Sequence, residues 1–251
     1  MWLLHTKEFK LYNFFDSPPP YAILSHTWGK EEVEFHAIQQ SDPSRRNREG
    51  WPKIENACAL AAREGWNYIW IDTCCIDRTN HAELSESINS MFRYYEEARI
   101  CYVYLCDVEQ SNFAHDFMLS RWFTRGWTLQ ELLAPDYVVF LDTNWVHVAN
   151  RGQHAEWIER ATGIQAEHLR HFNPKDVCVS TKLSWAKNRQ TTKVEDLAYS
   201  LLGLLDINMP LLYGEGRRSF RRLLLEVIKC SDDETIFCWE YDKFHGEPMC
   251  H

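Results

Sequence analysis

Tyr21-Ala22-Ile23-Leu24-Ser25 is an apolar run without polar alternation, the pattern of a strand covered on both faces. Ser17-Pro18-Pro19-Pro20 breaks the chain just ahead of it. Three further runs have the same character: Tyr68-Ile69-Trp70-Ile71-Asp72, Ile100-Cys101-Tyr102-Val103-Tyr104-Leu105-Cys106 and Tyr137-Val138-Val139-Phe140-Leu141. Helical spacing fills the gaps. Pro52 and Gly65 bracket a helix with Ile54, Ala57, Cys58 and Ala61 on one face. Asn80-His81-Ala82-Glu83 has the form of a capping box opening a helix with Leu84, Ile88, Met91, Phe92 and Tyr95 on one side. Leu129, Leu132 and Leu133 give a short helix over 127–134, which Pro135 stops. Strands alternating with helices imply an α/β fold, a parallel sheet flanked by helices on both faces.

Outside this core, Trp2-Leu3-Leu4-His5 and Phe9-Lys10-Leu11-Tyr12 read as an N-terminal β-hairpin. From Gly152 onward the pattern is mostly helical. Thr192-Lys193-Val194-Glu195 reads as a second capping box, before Leu197, Leu201, Leu202 and Leu205. Phe220, Leu223, Leu224, Val227 and Ile228 mark a further helix, and Ile236-Phe237-Cys238-Trp239 a late strand. Residues 245–251 carry no pattern and read as a frayed end or the start of a linker. With no low-complexity linker and no repeat, a single domain over 1–251 is expected: an α/β core over 1–150 and a helical extension over 151–251 packed on it.

Of the 251 residues 45% are apolar, enough for a substantial core. Against 36 acidic residues stand only 27 basic ones, and the net charge of −9 argues against an extended phosphate-binding face. Nucleic acid is therefore not an expected partner. No apolar run approaches the roughly 18–20 residues that span a bilayer, and Trp2-Leu3-Leu4 is too short for a signal-peptide core. A soluble, cytoplasmic protein without a membrane span is expected. The nine cysteines are odd in number, scattered and mostly within apolar runs, which predicts reduced, buried thiols. Most of the eleven tryptophans are assigned to packing.

There is no G-x-G-x-x-G turn, no G-x-x-x-x-G-K-[ST] loop, no G-x-S-x-G elbow and no H-E-x-x-H helix. His81-Ala82-Glu83 and His154-Ala155-Glu156 lack the P-C-x-x-C of zinc deaminases and read as surface residues. No metal site is expected.

Tyr21-Ala-Ile-Leu-Ser-His-Thr-Trp-Gly29 and Tyr68-Ile-Trp-Ile-Asp-Thr-Cys-Cys-Ile-Asp77 resemble the first two motifs of the fungal heterokaryon incompatibility (HET) domain. Glu83-Leu-Ser-Glu-Ser-Ile-Asn-Ser-Met91 leads into a third block, Arg121-Trp-Phe-Thr-Arg-Gly-Trp-Thr-Leu-Gln-Glu-Leu132. Ser184 to Thr192, Glu195 to Tyr199 and Met209 to Gly216 resemble the later motifs. This resemblance implies a domain that triggers cell death when unlike hyphae fuse. It commonly forms part of a larger receptor, which makes a nucleotide-binding receptor region, in the same chain or another, an expected partner.

The HET domain is in turn similar to Toll/interleukin receptor (TIR) domains, many of which cleave NAD with a glutamate on the helix after the third strand. Trp127-Thr-Leu-Gln-Glu-Leu132 resembles the W-C-L-x-E-L segment that carries this glutamate in plant members, with Thr128 in place of the cysteine. The resemblance implies a TIR-like sheet, Glu131 as the catalytic residue, NAD as substrate rather than cofactor, and a homo-oligomer as the active form.

Cleaving the nicotinamide–ribose bond builds positive charge on the sugar, so a carboxylate beside the ribose lowers the barrier. In open parallel sheets ligands bind beyond the carboxyl ends of the strands, where Ser25, His26, Trp28, Asp72 and Asp77 are expected to gather. Trp28 and Trp127 are candidates for stacking on the nicotinamide or adenine, or for the core. Arg125 is a candidate for the pyrophosphate or for a structural salt bridge. Arg189 has two readings as well, the same cleft or a link to Glu195 or Asp196. Two other functions compete: a thiol hydrolase pairing Cys74 or Cys75 with His26, and a non-enzymatic module that signals death by self-assembly.

Overall fold

The computed structural model describes residues 1–238. Seven strands, β1 (Trp2–His5), β2 (Leu11–Asn13), β3 (Ala22–His26), β4 (Tyr68–Ile71), β5 (Ile100–Tyr104), β6 (Val138–Leu141) and β7 (His147–Asn150), form one sheet in the order β2-β1-β4-β3-β5-β6-β7. The four apolar runs are the inner strands β4-β3-β5-β6, and all three of their pairings are parallel. Every residue of β3 is buried, as its uniform composition requires.

The expectation of a wholly parallel sheet is corrected at both edges. The hairpin β1–β2 adds to β4 in antiparallel fashion through Leu4–Ile69 and His5–Tyr68. β7 adds antiparallel to β6 on the far side, an edge strand that no sequence pattern announces. The sheet is mixed because both edge strands follow from short returns of the chain, which need no crossover helix.

The helices are α1 (Phe35–Gln39), α2 (Trp51–Arg63), α3 (His81–Glu96), α4 (Phe113–Leu119), α5 (Thr128–Leu133), α6 (Ala155–Thr162), α7 (Ala166–Arg170), α8 (Val179–Ala186), α9 (Asp196–Tyr199) and α10 (Arg218–Cys230). Asn80 caps α3 by accepting from the amides of Ala82 and Glu83. Glu83 closes the turn on the Asp77 amide instead of on Asn80, so the box is one loop wider than the motif implies. No helix of the described residues is long and apolar enough to cross a membrane.

Two expectations for the extension are corrected. Thr192 caps nothing, because Glu195 is taken by the amides of Gly214 and Gly216, and α9 runs for only four residues. Glu234–Cys238 is a 3-10 turn where a strand was expected, and Trp239 and residues 245–251 lie outside the described residues.

Candidate active site

In chain order the four parallel strands run 2-1-3-4 across the sheet, so the order reverses between β3 and β5. Such a reversal parts the flanking loops and opens a crevice at the carboxyl ends of the two strands. Thr27, just past β3, and Cys106, just past β5, meet there, Oγ1 to Sγ 3.2 Å. A larger hollow of about 480 Å³ lies at the opposite, amino end of the strands. Asp16, Glu96, Glu97 and Asp136 face it against the single cation Arg99, which suits no anionic ligand.

Glu131 sits on α5, whose six residues are all buried, and is itself only 8% exposed. Ser25 donates its hydroxyl to the Glu131 carboxyl and accepts from Trp122 Nε1 at 2.8 Å. Burial pushes the Glu131 carboxyl up to about 8, and the negative Asp72 adds to this. Hydrogen bonds from Ser25 and Tyr95 and the charge of Arg125 oppose the shift without cancelling it.

Beside this carboxyl the chain folds back from the extension. Arg189 is 6% exposed and donates Nη1 to the Arg125 carbonyl (2.8 Å) and to Thr128 Oγ1 (2.9 Å), and Nε to the Trp185 carbonyl (3.2 Å). It reaches neither Glu195 nor Asp196. Burial drives its guanidinium down to about 9, an effect that the Glu131 charge opposes. Arg189 Nη2 and Gln130 Nε2 are buried donors with no partner among the described residues. Groups of this kind are rare in folded proteins and call for an acceptor.

At the end of β3, His26 Nε2 lies 3.0 Å from Asp72 Oδ1, and its Nδ1 lies 2.9 Å from Lys53 Nζ. A lysine ammonium only donates, so Nδ1 accepts and Nε2–H donates to Asp72. Trp28 Nε1 donates to the other Asp72 oxygen at 2.8 Å, and the Arg78 guanidinium covers the Trp28 ring at 3.9 Å. Burial pushes the Asp72 carboxyl up, but His26, Arg78 and Trp28 together outweigh it and leave Asp72 below the usual carboxylate range.

A cleft of about 270 Å³ opens in front of this network, walled by Thr27, Trp28, Arg121, Arg125, Gln190 and Thr191. Glu131 is not on its wall; it lies behind, reached through Ser25 of the strand that continues into Thr27 and Trp28. Arg125 makes no ion pair within 4 Å among the described residues, so its charge faces the cleft and Glu131 rather than a structural partner.

The structure thus brings Glu131, Ser25, His26, Trp28, Asp72, Arg125 and Arg189 around one strand end. Two candidates fall elsewhere. Asp77 turns to the Thr79 hydroxyl and amide and to His36, and Trp127 bonds Asp196 in the extension. Cys74 and Cys75 are buried, and a mutual hydrogen bond followed by burial holds the Cys74 thiol well above its ordinary value. His26 is committed to Asp72 and Lys53, so the thiol-hydrolase arrangement is absent.

Sequence reasoning missed Trp122, Tyr95, Lys53 and Arg151. Trp122 lies in the quoted third block, and that was its only signal. Arg151 is buried and donates to the Leu132, Leu133 and Asp136 carbonyls at 2.7, 3.2 and 3.0 Å, closing the carboxyl end of α5.

The cleft wall also depends on Gly126, whose amide meets the Gln190 carbonyl at 2.8 Å while the Gln190 amide meets the Thr124 carbonyl at 2.7 Å. A Cβ on Gly126 would stand 2.5 Å from Thr191 Cγ2. Gly126→Ala is expected to cost about 1–3 kcal/mol by overpacking. Adding Thr191→Ser removes the clashing methyl and should recover most of that loss in urea unfolding.

Residues 21–117 match the family model described as Heterokaryon incompatibility protein (HET). Over 222 residues, 85% of this chain, the sequence is 43% identical to Vegetative incompatibility protein HET-E-1 of Podospora anserina. The chain spans about 16% of the length of that relative. No solved structure matches. Ser25, His26, Trp28 and Asp72 lie within the family-matched stretch; Arg125, Glu131 and Arg189 lie beyond it.

Proposed function

We propose that this chain is a cell-death effector of the heterokaryon incompatibility type that, on assembly, cleaves the nicotinamide–ribose bond of NAD. The incompatibility role is supported by the family match and by the name of the relative. The catalytic reading is supported above all by one observation: a buried, proton-holding glutamate sits at the strand-order reversal, directly behind a cationic cleft with an aromatic wall. The reaction class comes from the likeness of the Trp127–Leu132 segment to the TIR glutamate segment.

The cleft falls just under the roughly 300–1,000 Å³ of drug-sized ligand pockets, so it suits the nicotinamide riboside half of the dinucleotide. Arg121 and Arg125 match a pyrophosphate, and Trp28 offers a flat edge to a heteroaromatic ring. As the C–N bond breaks, its electron pair leaves with neutral nicotinamide and the ribose becomes cationic. Glu131, as a carboxylate, stabilises that charge. Water then adds to the sugar carbon and releases one proton.

Glu131 must be ionised for this, yet its environment keeps it protonated up to about pH 8. The resting chain therefore holds its acid in the unreactive form. Positively charged nicotinamide, or an assembly that moves Arg125 or Arg189 closer, favours the carboxylate. Accordingly kcat/KM is expected to rise with pH through about 8, whereas kcat, which reports the complex, rises at lower pH.

The competing reading, a module that kills by assembly alone, is favoured by the absence of Glu131 from the cleft wall. The two separate in a nicotinamide-release assay on protein tethered at high density, with Glu131→Gln alongside. Release by the wild type and none by the variant supports catalysis. No release from an assembled wild type that still kills cells supports the module.

A further inference from the structure

Helix α10 buries one side, with Phe220, Leu223 and Val227, and leaves a second side open. The open side carries Arg218, Arg221, Leu225 and Ile228, whose helical spacing puts them on one stripe, with Arg217 just ahead of it. All five are exposed. Arg222 is paired with Glu215, but Arg217, Arg218 and Arg221 make no ion pair within 4 Å among the described residues.

Their position is costly. A helix start is the positive end of the macrodipole, where a cation loses about 0.3–1 kcal/mol, and the first turn of α10 holds no acidic residue to offset it. Arginines kept there beside an exposed leucine and isoleucine have the composition of a surface that meets another.

The matching surface is the hollow at the amino end of the parallel strands. Asp16, Glu96, Glu97 and Asp136 face it against Arg99, and none of the four carboxylates makes an ion pair within 4 Å among the described residues. Burial, then the charges of Glu97 and Asp136, push the Glu96 carboxyl up, as happens where like charges crowd together. Tyr137 on the wall and Phe15, next to Asp16 in the chain, are exposed aromatic rings of the kind that anchor interfaces. No residue of α10 lines the hollow, so bringing the two surfaces together takes a second copy.

We propose that α10 of one copy docks, by Arg218, Arg221, Leu225 and Ile228, into the acidic hollow of the next. The two patches differ, so the contact is heterologous and repeats head to tail into a ring or an open filament. Complementary charge steers the encounter and sets its register, while the apolar residues supply the burial that holds it. The contact stands apart from the NAD reading, because its test reads mass and not turnover.

The test is sedimentation velocity of the full chain over a concentration series. Self-association is expected at low salt, and about 1 M salt, which shortens the screening length from about 10 Å at 0.1 M to about 3 Å, should weaken it at least about tenfold. Arg218→Glu with Arg221→Glu sets acid against acid and should leave a monomer. Glu96→Lys with Glu97→Lys sets base against base and should do the same. Mixing the two charge-reversed forms pairs opposite charges again and should restore association. All four positions are exposed, and the α10 form gains favourable charge at its helix start, so neither form should melt more than about 2 °C below the wild type.

A wild type that stays monomeric at low salt overturns the proposal, as does a mixture of the two forms that fails to associate. A Glu96→Lys, Glu97→Lys form that associates like the wild type also overturns it and points to α10 pairing with itself. A chain that is monomeric in solution yet pellets with phosphatidylserine vesicles overturns it in favour of an anionic membrane.

Discussion

Glu131→Gln is expected to cut nicotinamide release by at least about 10²–10³-fold, the usual cost of losing one group that stabilises developing charge, and at the same time to stabilise the fold in alkali. The side chain is isosteric and still offers an oxygen to Ser25, so the packing of α5 should hold. The stability effect follows from the carboxyl itself, which titrates near 4.5 when unfolded and near 8 in place. Below about pH 4.5 both forms are protonated and nothing is lost. Between 4.5 and 8 the folded chain keeps a proton that the unfolded chain has released, so stability falls as pH rises, and above 8 the whole loss is present. At about 1.4 kcal/mol per pKa unit the loss amounts to a few kcal/mol.

Glutamine cannot ionise and escapes this loss. Melting temperatures of wild type and variant should therefore agree near pH 4 and separate by about 10 °C near pH 9, with the variant higher, given roughly 2–4 °C per kcal/mol for a chain of this size. Parallel curves from pH 5 to 9 would mean that the Glu131 proton is not held by the fold.

Arg151→Ala is the second large effect, and it acts through position instead of charge. Three carbonyls at and beyond the end of α5 lose their guanidinium donor, those of Leu132 and Leu133 buried and that of Asp136 partly so. Leaving a buried polar group unpaired costs about 1–3 kcal/mol each. Partial relaxation brings the total to roughly 3–5 kcal/mol, or about 10 °C in melting temperature. Because α5 carries Glu131, the variant should also lose turnover at temperatures where it is still folded; an ångström of misplacement is enough. Arg151→Lys supplies the charge without the fork and should recover only part of both losses.

How much of this was legible differs between fold and site. The inner strands could be read because Ala22 to His26 and its neighbours are covered on both faces, a burial that composition alone records. Asn80 could be read because a cap is a local bond over two or three residues. β7 could not: His147–Asn150 is four residues long, lies on an edge and is only partly buried. The Thr192 box misled because the amides that claim Glu195 come from 19 and 21 residues downstream.

The site is nonlocal in the same way. Ser25 and Glu131 are 106 residues apart, and Trp122 reaches Ser25 across 97. Spacing carries no trace of such contacts, and the family resemblance was what brought Glu131 forward. Arg151 had no signal at all, since a cap made by a side chain from another strand end leaves no motif. Trp127 and Asp77 were drawn in by nearness in sequence, but the helix start and the Asx turn that hold them point elsewhere.

The most direct test of the central claim is to express this chain and its Glu131→Gln form in cells, matched for protein level, and to measure NAD, nicotinamide and viability in the same samples. The account predicts that the wild type drains NAD and releases nicotinamide before viability falls, and that the variant does none of these. Cell death with NAD undiminished, or NAD loss that persists with glutamine at position 131, would contradict it.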